Sequence, residues 1–316
     1  MGVGSTSEIR ATSELCLAVR EYLRSSEQAV RAATFPEETI ARILRYGEPV
    51  ASRIERYHRL DRCMDRLRQL IREEEEQGRV LPAGTVVQAG RLDRATGRFR
   101  RDWYAPAGGI WLAMAWPDIL LPFFARLVPF AVGLACCETV RQYGVPAWLK
   151  WVNDIHVQGK KIGGILCTTE TGLRGDRYYL LGIGLNANNS SFPDALRDRA
   201  TSLAAETGQE VDLGRVLVCL LAKLSWNMGL LLHEEANALE RNGRQGPFSA
   251  PLLLQQWSRL SDTVGRRVAY GFNVEEEILY EGVAEGVDDQ GGLQLRLDDG
   301  RLVTEVSGEL IYRSGG

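Results

Sequence analysis

Three of the four lysines in this chain fall within residues 150–161, as Lys150, Lys160 and Lys161, while 34 arginines supply the rest of its basic charge. Lys150 opens the run Lys150-Trp151-Val152-Asn153-Asp154-Ile155, between apolar Leu149 and Trp151. After a short turn comes Lys160-Lys161-Ile162-Gly163-Gly164-Ile165-Leu166. A lysine ammonium is a compact charge on a flexible stem, able to follow one oxygen as charge develops on it, which the planar arginine fork does less well. Lys150 beside an Asn-Asp pair therefore reads as an amine that meets an anion. A β-hairpin turn that carries lysines for solubility accounts for the Lys160-Lys161 pair equally well.

A second cationic stretch lies upstream. Between Gln88 and Trp103 stand Arg91, Arg94, Arg98, Arg100 and Arg101, with Gly90 and Gly97 allowing backbone turns that a Cβ would hinder. Guanidiniums on such a loop can fold over a polyphosphate through bidentate, charge-assisted hydrogen bonds. Nucleic acid and plain solvation are competing uses. There is no Gly-x-x-x-x-Gly-Lys-Ser/Thr phosphate loop and no dinucleotide fingerprint.

Trp103 leads into Tyr-Ala-Pro-Ala-Gly108-Gly109, an aromatic wall beside a close backbone approach, which suits a small ligand with a polar end. A core Trp at a strand entrance is the alternative. Gly182 and Gly184, in Leu-Gly-Ile-Gly-Leu-Asn186, end an apolar strand where a ligand can lie against the backbone. Asn186 is placed to read an adenine edge or hold a phosphate. A tight turn explains the glycines as well, though not the Asn.

These residues need a scaffold, and the hydrophobic pattern supplies one. It predicts helices over 7–33, 36–44, 61–77, 123–143, 212–241 and 249–259, with strands at 52–57, 85–88, 110–116, 178–183 and in a hairpin of 148–157 with 161–169. Strands interleaved with long helices indicate a mixed α/β (α+β) domain. After Asp262 short strands at 265–270, 277–287, 292–297 and 301–306 alternate with Asp-Gly and Gly-Gly turns, the pattern of a small β-barrel. The boundaries expected are 1–48 for an N-terminal helical extension, 49–260 for the main domain and 261–316 for the barrel.

Bulk properties narrow the function. A net charge of −3 argues against a strong nucleic-acid surface. Four Glu balance four Arg within residues 1–35, so this segment has no phosphate-facing side and suits an interaction or capping role. Six cysteines show no metal-ligand spacing and read as reduced thiols of a cytoplasmic protein, and no metal site is expected. The apolar run from Ile119 to Cys137 contains Arg126, Pro122 and Pro129, and reads as a core helix rather than a membrane span.

In this order the elements resemble the biotin protein ligase family over roughly residues 54–312. They comprise Ala-Gly-Arg…Gly-Arg…Trp-x-x-Pro-x-Gly-Gly, then Lys-Trp-x-Asn-Asp-Ile…Lys-Ile-Gly-Gly-Ile-Leu, then Gly-Ile-Gly-Leu-Asn and a terminal small barrel. The resemblance implies a mixed-sheet biotin/lipoate ligase-like catalytic domain with a small C-terminal SH3-like β-barrel. It also implies ATP and Mg²⁺, biotin as substrate, and a biotin carboxyl carrier domain of a biotin-dependent carboxylase as partner. No nucleic acid and no membrane are expected, and a homodimer is compatible. By the same resemblance, Lys150, Arg94 and Arg91 carry the catalytic work. Gln88, Gly90, Arg91, Trp103, Gly108, Gly109, Ile155, Gly164, Gly182 and Gly184 line the acid. Arg94, Arg98, Lys150, Asn153, Asp154, Lys161 and Asn186 take ATP, with Asn153 and Asp154 also holding the lysine in place.

Several positions depart from the family pattern. Arg62-Cys63-Met64 stands where a Ser-Thr-Asn run bonds the ureido ring, Val87 stands where a Gln is usual with Gln88 displaced by one, Ala105 replaces a Ser, and Val152 a Pro. The adenylate-handling lysine and glycines persist while the ring-reading side chains are gone. A ligase for another small carboxylic acid is thus a rival reading. A non-catalytic paralogue that reports bound adenylate through residues 1–45 is another.

Overall fold

The computed structural model describes residues 8–9, 13–241 and 251–313. Residues 7 and 10–12 of the first expected helix, 249–250 of the last and the chain end at 314–316 lie outside the described residues. The elements run β1 (Glu8–Ile9), α1 (Ser13–Tyr22), a π-helical turn (Leu23–Glu27), α2 (Gln28–Arg31) and α3 (Glu37–Gly47). Then come β2 (Ile54–Leu60), α4 (Cys63–Glu76), β3 (Thr85–Leu92), β4 (Ile110–Pro117), α5 (Pro122–Ala125) and α6 (Val128–Gln142). Three antiparallel strands, β5 (Trp148–Lys150), β6 (Asp154–Val157) and β7 (Lys160–Thr171), lead to β8 (Arg177–Leu185), α7 (Leu203–Thr207), α8 (Leu213–Glu240) and α9 (Leu252–Leu260). The C-terminal unit holds β9 (Arg267–Gly271), β10 (Tyr280–Val287), β11 (Leu293–Leu297), β12 (Leu302–Glu305) and β13 (Glu309–Tyr312).

The first eight strands form one mixed sheet in the order β1-β2-β3-β4-β8-β7-β6-β5, with β2 and β3 parallel and every other pair antiparallel. The last five form a separate antiparallel sheet, β12-β11-β10-β9-β13. Alternation along the strands divides the large sheet into two unlike faces. Leu112, Met114, Leu149, Ile155, Ile165, Ile183 and Leu185 join the large core that includes α6 and α8. Val87, Ala89, Ala113 and Leu180 face a smaller core under Met64, Leu67, Leu70 and Ile71 of α4. Because α4 covers only part of that second face, the remainder is free to serve as a site.

Among the described residues two helical stretches, Pro122–Gln142 and Leu213–Glu240, are long and apolar enough to cross a membrane, but both are largely buried inside the protein. A helix apolar all round is what a core position requires. α8 also explains the isolated fourth lysine. Lys223 Nζ meets Glu27 at 2.5 Å, Glu27 also accepts from Arg31 at 3.1 Å, and Arg31 reaches Glu138 on α6 at 2.8 Å. Asn227 donates to Glu138 at 3.0 Å. The N-terminal helices are thereby keyed onto α6 and α8 by a sealed, charge-balanced network.

Candidate active site

Strand register lines up one continuous row across the sheet. Lys150 on β5 pairs with Asp154 on β6, Asp154 with Gly164 on β7, Gly164 with Gly184 on β8, and Gly184 with Trp111 on β4. Trp111 then pairs with Ala89 on β3 and Ala89 with Tyr57 on β2. Directly paired residues project to the same face, so charged residues at one end and aromatic residues at the other flank a floor with no side chains. The next row on this face, Leu166, Gly182, Ala113 and Val87, continues it toward α4.

The glycines are there because something rests on them. A Cβ on Gly184 would lie 2.9 Å from the Trp103 indole, and one on Gly164 would lie 3.3 Å from the same ring and 3.3 Å from Lys161 Nζ. On Gly182 it would meet the Met64 sulfur at 3.1 Å. Trp103 and Met64 thus lie along the floor, with Trp111 edge-on to Trp103 at 6.5 Å. The Trp103 indole N–H is buried and has no acceptor.

At the charged end, Lys161 Nζ is 2.5 Å from Asp154 Oδ1 and 5.1 Å from the centre of the Trp103 ring. Desolvation works to raise the Asp154 carboxyl, but Lys161, then Lys150 and Arg98, hold it below the usual carboxylate range. Burial draws the Lys150 amine below its ordinary value, Asp154 opposes that and Lys161 adds to it. Arg98 Nη1 donates to Asn153 Oδ1 at 3.2 Å and to the Gly308 carbonyl at 2.7 Å, and its own burial lowers the guanidinium. Three cations surround this carboxylate and form an anion site, with Glu309 and Asp262 also acting on Lys150. Of the two lysines, Lys161 has its amine on the glycine floor, whereas the Lys150 amine lies over the Tyr312 ring at 5.1 Å.

The arginine loop is fastened to the C-terminal unit. Arg101 grips Glu309 with two bonds of 3.0 and 2.8 Å and also donates to Asn273. Arg91 and Arg94 are exposed and pair instead with Asp93 at 3.1 Å and Asp61 at 3.7 Å, at the start of the loop. Asn186 is buried, its amide donates to the Thr201 carbonyl at 2.9 Å, and its Oδ1 is left without a donor. That orphan acceptor suits the amino group of an adenine.

The structure therefore brings together Lys150, Lys161, Asn153, Asp154, Arg98, Trp103, Gly164, Gly182 and Gly184. Other expected residues take different parts. Gln88 accepts from Arg56 at 3.0 Å and pairs with Leu112, whose side chain belongs to the opposite core, so it faces away from the floor. Its displacement by one in the sequence is the cause, since a one-residue shift flips a strand side chain. Ile155 is likewise turned into the large core by its alternation with Asp154. Gly90 gives room to the His58 carbonyl, Gly108 to Asn188, and Gly109 to the Trp111 ring folded back on it. Sequence reading missed Tyr312 as a neighbour of the site, and nothing local announces it; Met64, from the Arg62-Cys63-Met64 run singled out in the sequence, lies in the first turn of α4.

Among the described residues no three His, Cys, Asp or Glu side chains converge as a metal site.

The chain matches the Biotin/lipoate A/B protein ligase family over residues 59–188 and the Biotin protein ligase C terminal domain over residues 263–311. It is 30% identical over 226 residues to the bifunctional ligase/repressor BirA of Bacillus subtilis (strain 168), covering 69% of this chain and 63% of that protein. The chain thus spans less than two thirds of that relative's length. It is 29% identical over 236 residues to the biotin--[acetyl-CoA-carboxylase] ligase of Mycobacterium tuberculosis, covering 72% of this chain and 79% of the relative. The fold is also that of the biotin protein ligase from Aquifex aeolicus solved in complex with biotin and ATP. The TM-score is 0.64 at 23% identity, over 83% of this chain and 99% of the other. On these matches, residues 59–188 of this chain form a biotin/lipoate protein ligase domain and residues 263–311 a biotin protein ligase C-terminal domain.

Proposed function

We propose that this protein is an ATP-dependent biotin protein ligase. The observation that carries the reading is the cluster in which Lys150, Lys161 and Arg98 surround Asp154, at the end of a glycine floor walled by Trp103. In the first step an oxygen of the biotin carboxylate attacks the α-phosphorus of ATP, and pyrophosphate leaves with the electron pair of the broken P–O bond. In the second, the neutral amine of a carrier-domain lysine attacks the carbonyl carbon of the mixed anhydride. An amide forms, AMP leaves, and the amine gives up a proton.

Bringing one anion onto another needs neutralisation and alignment more than covalent help. Lys161 is placed to meet the carboxylate and α-phosphate, since its amine lies on the floor itself. Lys150 and Arg98 add positive charge toward the phosphates, and Asp154 orients the amines. Trp103 closes over the glycines and excludes water from the anhydride, and Asn186 Oδ1 accepts from the adenine amino group. Mg²⁺ commonly keeps several waters and takes substrate phosphates with one or two carboxylates, so the single carboxylate Asp154 fits an ion brought in on ATP. Such an ion would supply neutralisation of the charge on the departing pyrophosphate. The partner implied is a biotin carboxyl carrier domain, and six free thiols fit a reducing cytoplasm.

A second reading, a ligase for a different small carboxylic acid, is favoured by Met64 lying on Gly182 with no polar side chain capping the start of α4. Incubation with ATP, Mg²⁺, labelled biotin and an isolated carrier domain separates the two. Label on the carrier lysine, undiminished by excess lipoate or a medium-chain fatty acid, supports biotin. Loss of label to such a competitor moves the assignment to that acid.

A further inference from the structure

β5 is three residues long and lies at the edge of the large sheet. An edge strand presents unpaired backbone groups on its outer side. Here the C-terminal unit and the segment leading into it take them up. Ser261 Oγ donates to the Leu149 carbonyl at 3.0 Å, and the Trp151 N–H donates to Thr263 Oγ1 at 3.1 Å. The Trp151 indole donates to the Gly291 carbonyl at 3.1 Å. Both chain neighbours of Lys150 are therefore fixed from that side, and so is its side chain. Lys150 Nζ lies 5.1 Å from the centre of the Tyr312 ring.

Tyr312 is itself well anchored. Its hydroxyl donates to Asp262 Oδ1 at 2.8 Å and lies 2.8 Å from Thr263 Oγ1, while Asp262 Oδ1 also meets His156 Nε2 at 2.9 Å. The Arg266 guanidinium stands 4.5 Å from the same ring. An aromatic face attracts an ammonium through its quadrupole without carrying a countercharge. A carboxylate in that place would hold the amine equally well but cancel the charge that a phosphate needs.

We infer that Tyr312, on the last strand of the C-terminal unit, is a positioning residue that holds the Lys150 ammonium toward the phosphates of ATP. The C-terminal unit then sets part of the nucleotide geometry through a single ring. This rests on the ATP reading above.

The test is ATP affinity by titration calorimetry on the full chain, for wild type, Lys150→Met, Tyr312→Leu, Tyr312→Phe and the Lys150→Met/Tyr312→Leu double variant. Lys150→Met is expected to weaken ATP by about tenfold, the loss of one charge-assisted contact. Tyr312→Leu should weaken it several-fold, and the double variant should be no weaker than Lys150→Met, because the ring acts through that lysine. Tyr312→Phe, which keeps the ring, should stay near wild type. Losses that multiply in the double variant, or a Phe variant as weak as Leu, would overturn the inference. Thermal unfolding monitors each variant, and Tyr312→Met takes the place of Tyr312→Leu under the same criteria if the latter does not fold. Wild type that binds ATP but shows no biotin-dependent turnover removes the biotin reading alone. Wild type that binds no ATP overturns both.

Discussion

Between the N-terminal helices and α8, Lys223 and Arg31 meet Glu27 and Glu138, two cations against two carboxylates. Over the glycine floor, Lys150, Lys161 and Arg98 surround Asp154; Glu309 and Asp262 also act on Lys150, but each is paired elsewhere, with Arg101 and Arg266. The first group is sealed, with Glu27 1% and Lys223 4% exposed. In the second, the Lys161 and Asp154 side chains remain 36% and 26% exposed. A closed network can bury ions only if every charge is matched, because an unpaired buried charge is strongly destabilising. An open one can hold a surplus, and a surplus of positive charge is what an incoming polyphosphate supplies a partner for. The balance of each cluster, more than the residue types in it, separates a structural lysine from a functional one.

The largest break in this comparison should come from Lys161→Ala. Pyrophosphate exchange is expected to fall about 10²–10³-fold, the range seen when one transition-state donor is lost. Thermal unfolding should change little, since Lys150 and Arg98 remain beside Asp154 after its partner is lost. Lys223→Met should do the reverse. By leaving Glu27 short of a partner it should lower unfolding free energy by about 3–5 kcal/mol in a denaturant titration, with exchange per folded molecule unchanged. Arg101→Ala releases the arginine loop from Glu309 and Asn273. Looser cover should raise AMP release without a carrier acceptor by a few-fold, read by chromatography of the quenched reaction.

The smallest effect concerns a carboxylate outside both clusters. Burial pushes the Glu234 carboxyl up to about 7, against hydrogen bonds from the Leu252 and Leu253 backbone. A group whose folded pKa is raised contributes stability at low pH that is lost as pH rises through its folded value. Stability should therefore decline between about pH 5 and 8, and Glu234→Gln should flatten that decline in unfolding curves recorded across the window.

Much of the site was legible because it is written locally. The Lys150-to-Asp154 run forms adjacent strands, and Gly182 and Gly184 sit on one strand at the two-residue period that puts both on one face. The α/β order and the second sheet followed from periodicity and turn residues. What escaped was set by register and by distance along the chain. Gln88 and Ile155 lie beside site residues in sequence but on the other face of the sheet. Tyr312 reaches Lys150 only because β5 is an edge strand that the C-terminal unit covers. Strand β13, which carries that tyrosine, was not among the expected strands; it is only four residues long. The sequence pattern at residues 7–33 showed a helix with balanced charge, and only the packing on α8 reveals that Glu27 and Arg31 are matched to Lys223 and Glu138.

The most direct measurement is ATP–pyrophosphate exchange by the wild-type protein with Mg²⁺, in the presence and absence of biotin. The account predicts label entering ATP only when biotin is present. Exchange that ignores biotin, or none with biotin or any other acid while ATP still binds, would contradict the claim that the unbalanced cluster is an adenylation centre.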